Sequence, residues 1–403
     1  MTSFRSVFLT LLASACASLA IAAPASAEEN TPPALLPFDP LALEFTLPGS
    51  TISNNIWNVR SLPVDHEPIG NVTYSWNGQT KTISRLLLES GTDAFLVLEN
   101  GKIAHEVYFD INNVFTRHQS WSMMKSFVST LVGIAVRDGK ITSVNDPVTK
   151  YVPALAANGY NGVSIKDVLQ MSSGIDWNEE YTDILGADIV DLVLDPILDN
   201  GSFGLFGRTL DKFAASPEWS RSDAPGTRFL YNSLNTQVLG MVLKAATGRP
   251  VRKLLEEQIW RPSGMGSSGW LLKDRAGSDF GFCCLYATAR DYARFGLVWE
   301  NNGARGSNQI VPTNWVYDST HSTEAHLQPG VVEPTLGYGY QWWIGDGTRG
   351  DFAAIGVEGQ WTYVSPTDNT VIVKLSDDLT LEGNREEEFL KASRAVADYL
   401  RAH

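Results

Sequence analysis

The chain has 403 residues, 43% of them apolar and 19% charged, an ordinary globular composition with room for one large domain or two smaller ones. Its formal net charge of −14 repels phosphate backbones, and no Lys/Arg stripe interrupts that acidity, which argues against nucleic acid as a partner. Six His and three Cys, with no H-E-x-x-H and no cysteine pair at zinc-finger spacing, argue against a metal site.

The first residues read as a targeting signal. Arg5 is their lone charge, Val7 to Ala23 is almost wholly apolar or small, and Ala25-Ser26-Ala27 fits a small-x-small cleavage site. Residues 1–27 are therefore expected to be a signal peptide, leaving a mature protein in the periplasm or outside the cell. The apolar run is short for a membrane span, and no later segment is long and apolar enough for one.

A Pro-rich, turn-rich stretch follows, from Thr31 to about Asn71. Asp93 to Phe109 shows two apolar runs split by Glu99-Asn100-Gly101, the pattern of a hairpin. Ser122 to Arg137 carries apolar residues at helical spacing and stops before Asp138-Gly139. Further helices are expected from Ser164-Ile165-Lys166-Asp167, over Asn235 to Thr247, and over Ala287 to Glu300. Adjacent cysteines rarely bridge, because a disulfide spans a wider Cα separation than one peptide comfortably gives. Cys283 and Cys284 are therefore read as small buried apolar residues.

The tail returns to strands at Tyr338 to Ile344, Phe352 to Ile355, Gln360 to Ser365 and Thr370 to Leu375. A last helix, Asn384 to Leu400, has acidic first turns that suit its dipole. Strands near both ends with helices between predict an α+β fold. Residues 28–140 and 330–403 would build an antiparallel sheet flanked by helices, and 141–329 an inserted, mainly helical subdomain.

A serine hydroxyl needs a base within hydrogen-bond reach to act as a nucleophile. The strand-turn-helix solution, G-x-S-x-G, does not occur. The alternative sets Ser and Lys three residues apart, so that both emerge on one helix face. Lys125 alone among the lysines has a serine at that spacing, Ser122, and that serine opens the apolar helix. Burial beside Met123, Met124 and Phe127 would strip water from the amine, lower its pKa and make it a base for Ser122. The helix start would also aim N–H groups at a developing oxyanion.

Several segments then resemble the serine β-lactamase and penicillin-binding-protein superfamily, in that family's order. They are Asp146 to Pro153 (DPVTKYVP), Ser164 to Gly174 (SIKDVLQMSSG), Phe229 to Ser233 (FLYNS), Ala287 to Gly296 (ATARDYARFG) and Gly337 to Trp343 (GYGYQWW). Ser120-Trp121-Ser122 and Gly174 to Tyr181 (GIDWNEEY) are most similar to 6-aminohexanoate-dimer hydrolases and to the esterases related to class C β-lactamases. The resemblance implies an antiparallel sheet with a helical insert, a site in the cleft between them, acyl transfer through Ser122, and no cofactor. It implies that Tyr231 shares protons with Lys125 and protonates the leaving group, and that Tyr181 closes over substrate. It also implies an oxyanion hole from the N–H groups of Ser122 and Gln360.

Two departures bear on substrate. The tyrosine motif ends in Ser233 where β-lactamases have Asn. Their K-T-G or H-x-G strand motif stands here as Val357-Glu358-Gly359, without its cation; Glu358 is read as a solvated strand residue and Gly359 as a point of close backbone approach. Trp121, Trp177, Trp342, Trp343 and Trp361 suggest an apolar acyl pocket. The expected substrates are small-molecule esters or linear amides. The alternatives are a β-lactamase or D,D-peptidase, or a sensor that is acylated but does not turn over.

Overall fold

The computed structural model describes residues 47–181, 187–198, 208–378 and 385–403; the signal segment and its cleavage site fall outside them. The expected hairpin forms from β1 (Thr92–Glu99) and β2 (Lys102–Tyr108). Asn100 and Gly101 at its tip both take positive φ, 49° and 76°, the demand of the tight turn that suits strand twist. The chain then enters a 3-10 turn, Trp121–Met123, that runs into α1 (Met124–Arg137). Helix α1 is apolar on nearly every side, and accordingly Met124 through Ala135 are all buried.

The middle of the chain contributes α2 (Asp188–Leu198), α3 (Ser233–Thr247) and α4 (Ala289–Glu300). Ser164 opens its short helix with a reciprocal capping box to Asp167, as the spacing predicts. Thr288 caps α4 by accepting from the Asp291 N–H. This region also holds strands Gly269–Leu272 and Leu285–Thr288, which join Gly49–Ile52 and Arg117–Gln119 in a four-stranded sheet.

The tail supplies β3 (Leu336–Tyr338), β4 (Trp343–Gly345), β5 (Phe352–Gly356), β6 (Gln360–Ser365), β7 (Thr370–Ser376) and α5 (Arg385–Ala402). One expected strand, Tyr338 to Ile344, is instead two. Gln341 turns the chain at φ 62°, and a Cβ on Gly339 would stand 2.0 Å from the Ser319 carbonyl oxygen. The Gln341 side chain crosses elements, donating to the Leu169 carbonyl at 2.7 Å and accepting from the Thr236 hydroxyl at 2.6 Å.

The main sheet is antiparallel throughout, in the order β3-β4-β5-β6-β7-β1-β2, so the β7–β1 pairing joins the two ends of the chain. Side chains alternate across it. Phe95, Val97, Trp361, Tyr363 and Ile372 form one core with Phe389, Leu390, Val396 and Leu400 of α5. Leu96, Leu98, Val371 and Val373 share the other with α1 and α4. Helix α4 lies so close that a Cβ on Gly296 would meet Val371 at 2.5 Å, and its Phe295 stacks on Phe127 of α1, centroids 3.7 Å apart. Helix α1, which carries Lys125, is thereby clamped against α4 and the sheet.

Candidate active site

Ser120, Trp121 and Ser122 form the approach to α1. Ser120 is anchored twice to the strand Leu285–Thr288: its N–H donates to the Leu285 carbonyl at 2.7 Å, and its Oγ accepts from the Leu285 N–H at 3.2 Å. Trp121 has φ 43°, a left-handed conformation costly for a bulky residue, immediately before the candidate nucleophile. Its indole N–H donates to Glu358 at 3.0 Å. Glu358 is thus not the solvated strand residue expected from sequence; it sits in the turn before β6 at φ 63° and holds the tryptophan.

Lys125 is buried, with its Nζ 2.8 Å from the Ser122 Oγ and 3.2 Å from the Phe282 carbonyl oxygen. Burial pulls its pKa down from the ordinary 10.5 to about 8, against a smaller upward pull from the Glu179 carboxylate. The Tyr231 ring lies 4.9 Å from the amine, and Tyr181 lines the same pocket as Ser122. Burial, then the charge of Glu179, pushes both phenols up. Trp343 stacks on Tyr231 at 5.7 Å and fixes its ring.

The loop that carries the Phe282 carbonyl contains a second departure. Cys283 and Cys284 are bridged to each other, with Cα atoms 3.7 Å apart. The expectation of two free apolar thiols fails because the chain turns here, Cys284 taking φ 69°. Both stay buried, and Cys283 lines the pocket beside Ser122.

That pocket, about 30 Å³, is walled by Trp121, Val357, Phe282, Cys283 and three residues of α2, Ile189, Val190 and Val193. Tyr181, Ser233 and Ser122 complete it. Its apolar character comes from aliphatic side chains more than from the five tryptophans expected there. Of those, Trp121 lines it, whereas Trp177 packs on Trp219, Trp342 on Trp299, Trp343 on Tyr231 and Trp361 near Phe389.

The segment Val357-Glu358-Gly359-Gln360 passes close to the nucleophile turn. A Cβ on Gly356 would stand 2.5 Å from the Ser120 carbonyl oxygen, so this approach requires glycine. At Gly359, φ is 82° and a Cβ would meet the Ser376 Oγ at 2.6 Å, in line with the expected close approach. Val357 is the member of the segment that shares the pocket wall with Ser122. Gln360 is buried at the start of β6, its amide tied to the Ser376 carbonyl.

A neighbouring cavity of about 250 Å³ is lined by Tyr181, Glu180, Glu358, Glu386 and Arg385 among others. Arg385 is paired with Glu388 at 3.1 Å and Asp378 at 3.5 Å. Arg290 and Arg349 are engaged elsewhere, Arg290 with Glu106 and Arg349 with Asp368.

Sequence reasoning missed Glu179. Its carboxylate accepts from the Trp177 indole, the Ser233 backbone N–H at 2.9 Å, the Ser233 hydroxyl and the Tyr181 hydroxyl at 2.7 Å. Ser233, expected to touch substrate, lines the pocket but commits its hydroxyl to Glu179. Among the described residues no group of three metal-ligating side chains is gathered, and no helix is long and apolar enough to cross a membrane.

A buried amine beside a serine hydroxyl is an arrangement that can carry out acyl transfer. A model of the β-lactamase family matches residues 87–396. The chain belongs to the β-lactamase family. Within that family, the chain is 32% identical over 301 residues to the 6-aminohexanoate-dimer hydrolase of Paenarthrobacter ureafaciens, covering 73% of this chain and 74% of that protein. A solved Bacillus anthracis protein, provisionally named a 6-aminohexanoate-dimer hydrolase, matches with a TM-score of 0.79 at 23% identity, over 89% of this chain and 93% of its own. A family VIII carboxylesterase matches with a TM-score of 0.55 at 16% identity, over 75% and 92%. The β-lactamase-family protein described here is a hydrolase with a β-lactamase/transpeptidase fold.

Proposed function

We propose that the protein is an exported serine hydrolase that opens ester or linear amide bonds through an acyl-enzyme on Ser122. The observation that carries this reading is the buried Lys125 amine, 2.8 Å from the Ser122 Oγ, with a pKa lowered to about 8. A neutral amine at that place takes the Ser122 proton as Oγ attacks the carbonyl carbon. The oxyanion is met by the Ser122 N–H, in the turn that leads into α1, and by the Gln360 N–H. Tyr231, whose ring lies 4.9 Å from the Lys125 amine, relays the proton from Lys125 to the departing alcohol or amine as the scissile bond breaks. Water then attacks the ester on Ser122 with Lys125 again as base, and the acid product leaves. No step calls for a cofactor.

The substrate class rests on the pocket and on the acidic cavity beside it. Among the described residues neither holds a cation free to pair with a substrate carboxylate, since Lys125 serves Ser122 and Arg385 serves Asp378 and Glu388. β-Lactams and D-Ala-D-Ala peptides carry such a carboxylate, whose ion pair in a cleft contributes roughly 10- to 1,000-fold in discrimination. The likeness to a 6-aminohexanoate-dimer hydrolase supports linear amides beside esters. Export rests on the residue pattern of 1–27.

Steady-state turnover of p-nitrophenyl butyrate, a linear 6-aminohexanoate dimer and a chromogenic cephalosporin at matched concentration tests the assignment. The ester or the amide should be turned over at least tenfold faster than the cephalosporin. A cephalosporin rate above both would overturn the proposed substrate class.

A further inference from the structure

We infer that Glu179 is a positioning residue for the Ser122 centre: it fastens the Trp177–Tyr181 segment to the start of α3 and orients Tyr181 against the nucleophile. The inference rests on the reading of Ser122 as nucleophile and deepens it.

All four hydrogen bonds of the Glu179 side chain run inward from donors, two to each oxygen. Oε2 accepts from the Trp177 indole and the Ser233 N–H, and Oε1 accepts from the Ser233 and Tyr181 hydroxyls. A carboxylate is the one side-chain group with four acceptor places and no donor of its own. Ser233 is the first residue of α3, so the negative charge also sits where the helix dipole favours it. Asn232, the N-cap, follows Tyr231 directly, and the carboxylate therefore ties Tyr231, Tyr181 and α3 into one frame around Ser122.

The geometry has a chemical consequence. Because the Tyr181 phenol gives its proton to Glu179, its oxygen is left only to accept in the pocket that it shares with Ser122. Around Lys125 stand the Phe282 carbonyl, the Tyr231 ring and Ser122, and Glu179 is the charge that acts on it from the facing segment.

The test is the pH dependence of kcat and kcat/KM for p-nitrophenyl butyrate in wild type, Glu179→Gln and Glu179→Asp. Losing the carboxylate charge removes an upward pull on the Lys125 pKa. The acidic limb of kcat/KM should therefore move to lower pH by about half a pH unit or more in Glu179→Gln. Glu179→Asp keeps the charge and loses the reach, so its limb should stay in place. In both, kcat should fall about tenfold or more with KM changed less than about threefold, because the frame acts on the reacting groups. If Glu179→Gln does not fold, Ser233→Ala and Trp177→Phe each remove one donor and leave the charge. A kcat loss with the limb unmoved then supports the inference. Wild-type kcat and an unmoved limb in Glu179→Gln, or wild-type kcat in both donor variants, overturns it while Ser122 labelling by a fluorophosphonate stands. Full turnover by Ser122→Ala would sink the nucleophile and this inference together.

Discussion

The Lys125 Nζ stands 2.8 Å from the Ser122 Oγ in a setting without bulk water, and the Phe282 carbonyl is its other hydrogen-bond partner. A full positive charge is poorly supported there. Burial therefore favours the neutral amine, the form that the proposed base role requires.

The first consequence is a pH profile. With Lys125 titrating near 8, kcat/KM should rise with pH through about 8, as the neutral amine becomes populated. Lys125→Ala should lose between about 100- and 10,000-fold in kcat. An acidic limb centred below pH 6, or near-normal turnover by Lys125→Ala, would break the base assignment.

The same burial predicts a stability effect of opposite sense. Below about pH 8 the folded protein carries a buried ammonium, whereas the unfolded chain keeps its proton up to 10.5. This group's penalty is therefore complete below 8 and fades as pH rises from about 8 to 10.5. Lys125→Met should be inactive yet more stable than wild type at pH 7, by about 1–3 kcal/mol, read from urea unfolding. A variant less stable at pH 7 would contradict this.

Much of this was legible in the chain because it is local. Ser122 and Lys125 are three residues apart, and a 3.6-residue period is enough to bring them together. The hairpin at Asn100-Gly101 and the helix start at Ser164 are equally short-range. Glu179 was not legible: its hydroxyl partner Ser233 is 54 residues away, and no local pattern announces four convergent donors. Nor was the Trp121 conformation, since sequence carries no direct mark of a left-handed bulky residue. The tryptophans misled for a related reason. Closeness in sequence to a motif does not set which sheet face a side chain takes, and Trp361 points to the α5 core.

The disulfide between Cys283 and Cys284 lies between two contacts that hold the centre, Phe282 to Lys125 and Leu285 to Ser120. Reduction by a phosphine, or the double change Cys283→Ser with Cys284→Ser, should free that turn and lower kcat about threefold to thirtyfold. Thiol titration before and after reduction checks the bond itself. Two free thiols in the untreated protein, or unchanged kcat after full reduction, would count against the assignment.

Chain-length preference reads the pocket wall. With about 30 Å³ between Ser122, Val193 and Cys283, p-nitrophenyl esters of short acids should be favoured over octanoate in kcat/KM. Val193→Ala removes two methyl groups from the α2 wall and should move the optimum toward longer acyl chains. An unchanged series in that variant would place the acyl group elsewhere.

Gly356 reports on the approach of β5 to the nucleophile turn. Gly356→Ala sets a methyl 2.5 Å from the Ser120 carbonyl oxygen, so the turn must shift. We expect kcat to fall about 100-fold, with a stability loss of about 1–3 kcal/mol in urea unfolding. Full activity would mean that β5 does not govern the geometry at Ser122.

The central claim, an acyl-enzyme on Ser122, is tested most directly by mass spectrometry of the protein after reaction with a fluorophosphonate. The expected result is one adduct per chain, on the peptide containing Ser122, absent from Ser122→Ala and slowed at least 100-fold in Lys125→Ala. Stoichiometric modification of another residue, with Ser122→Ala still turning over substrate at the wild-type rate, would contradict the claim.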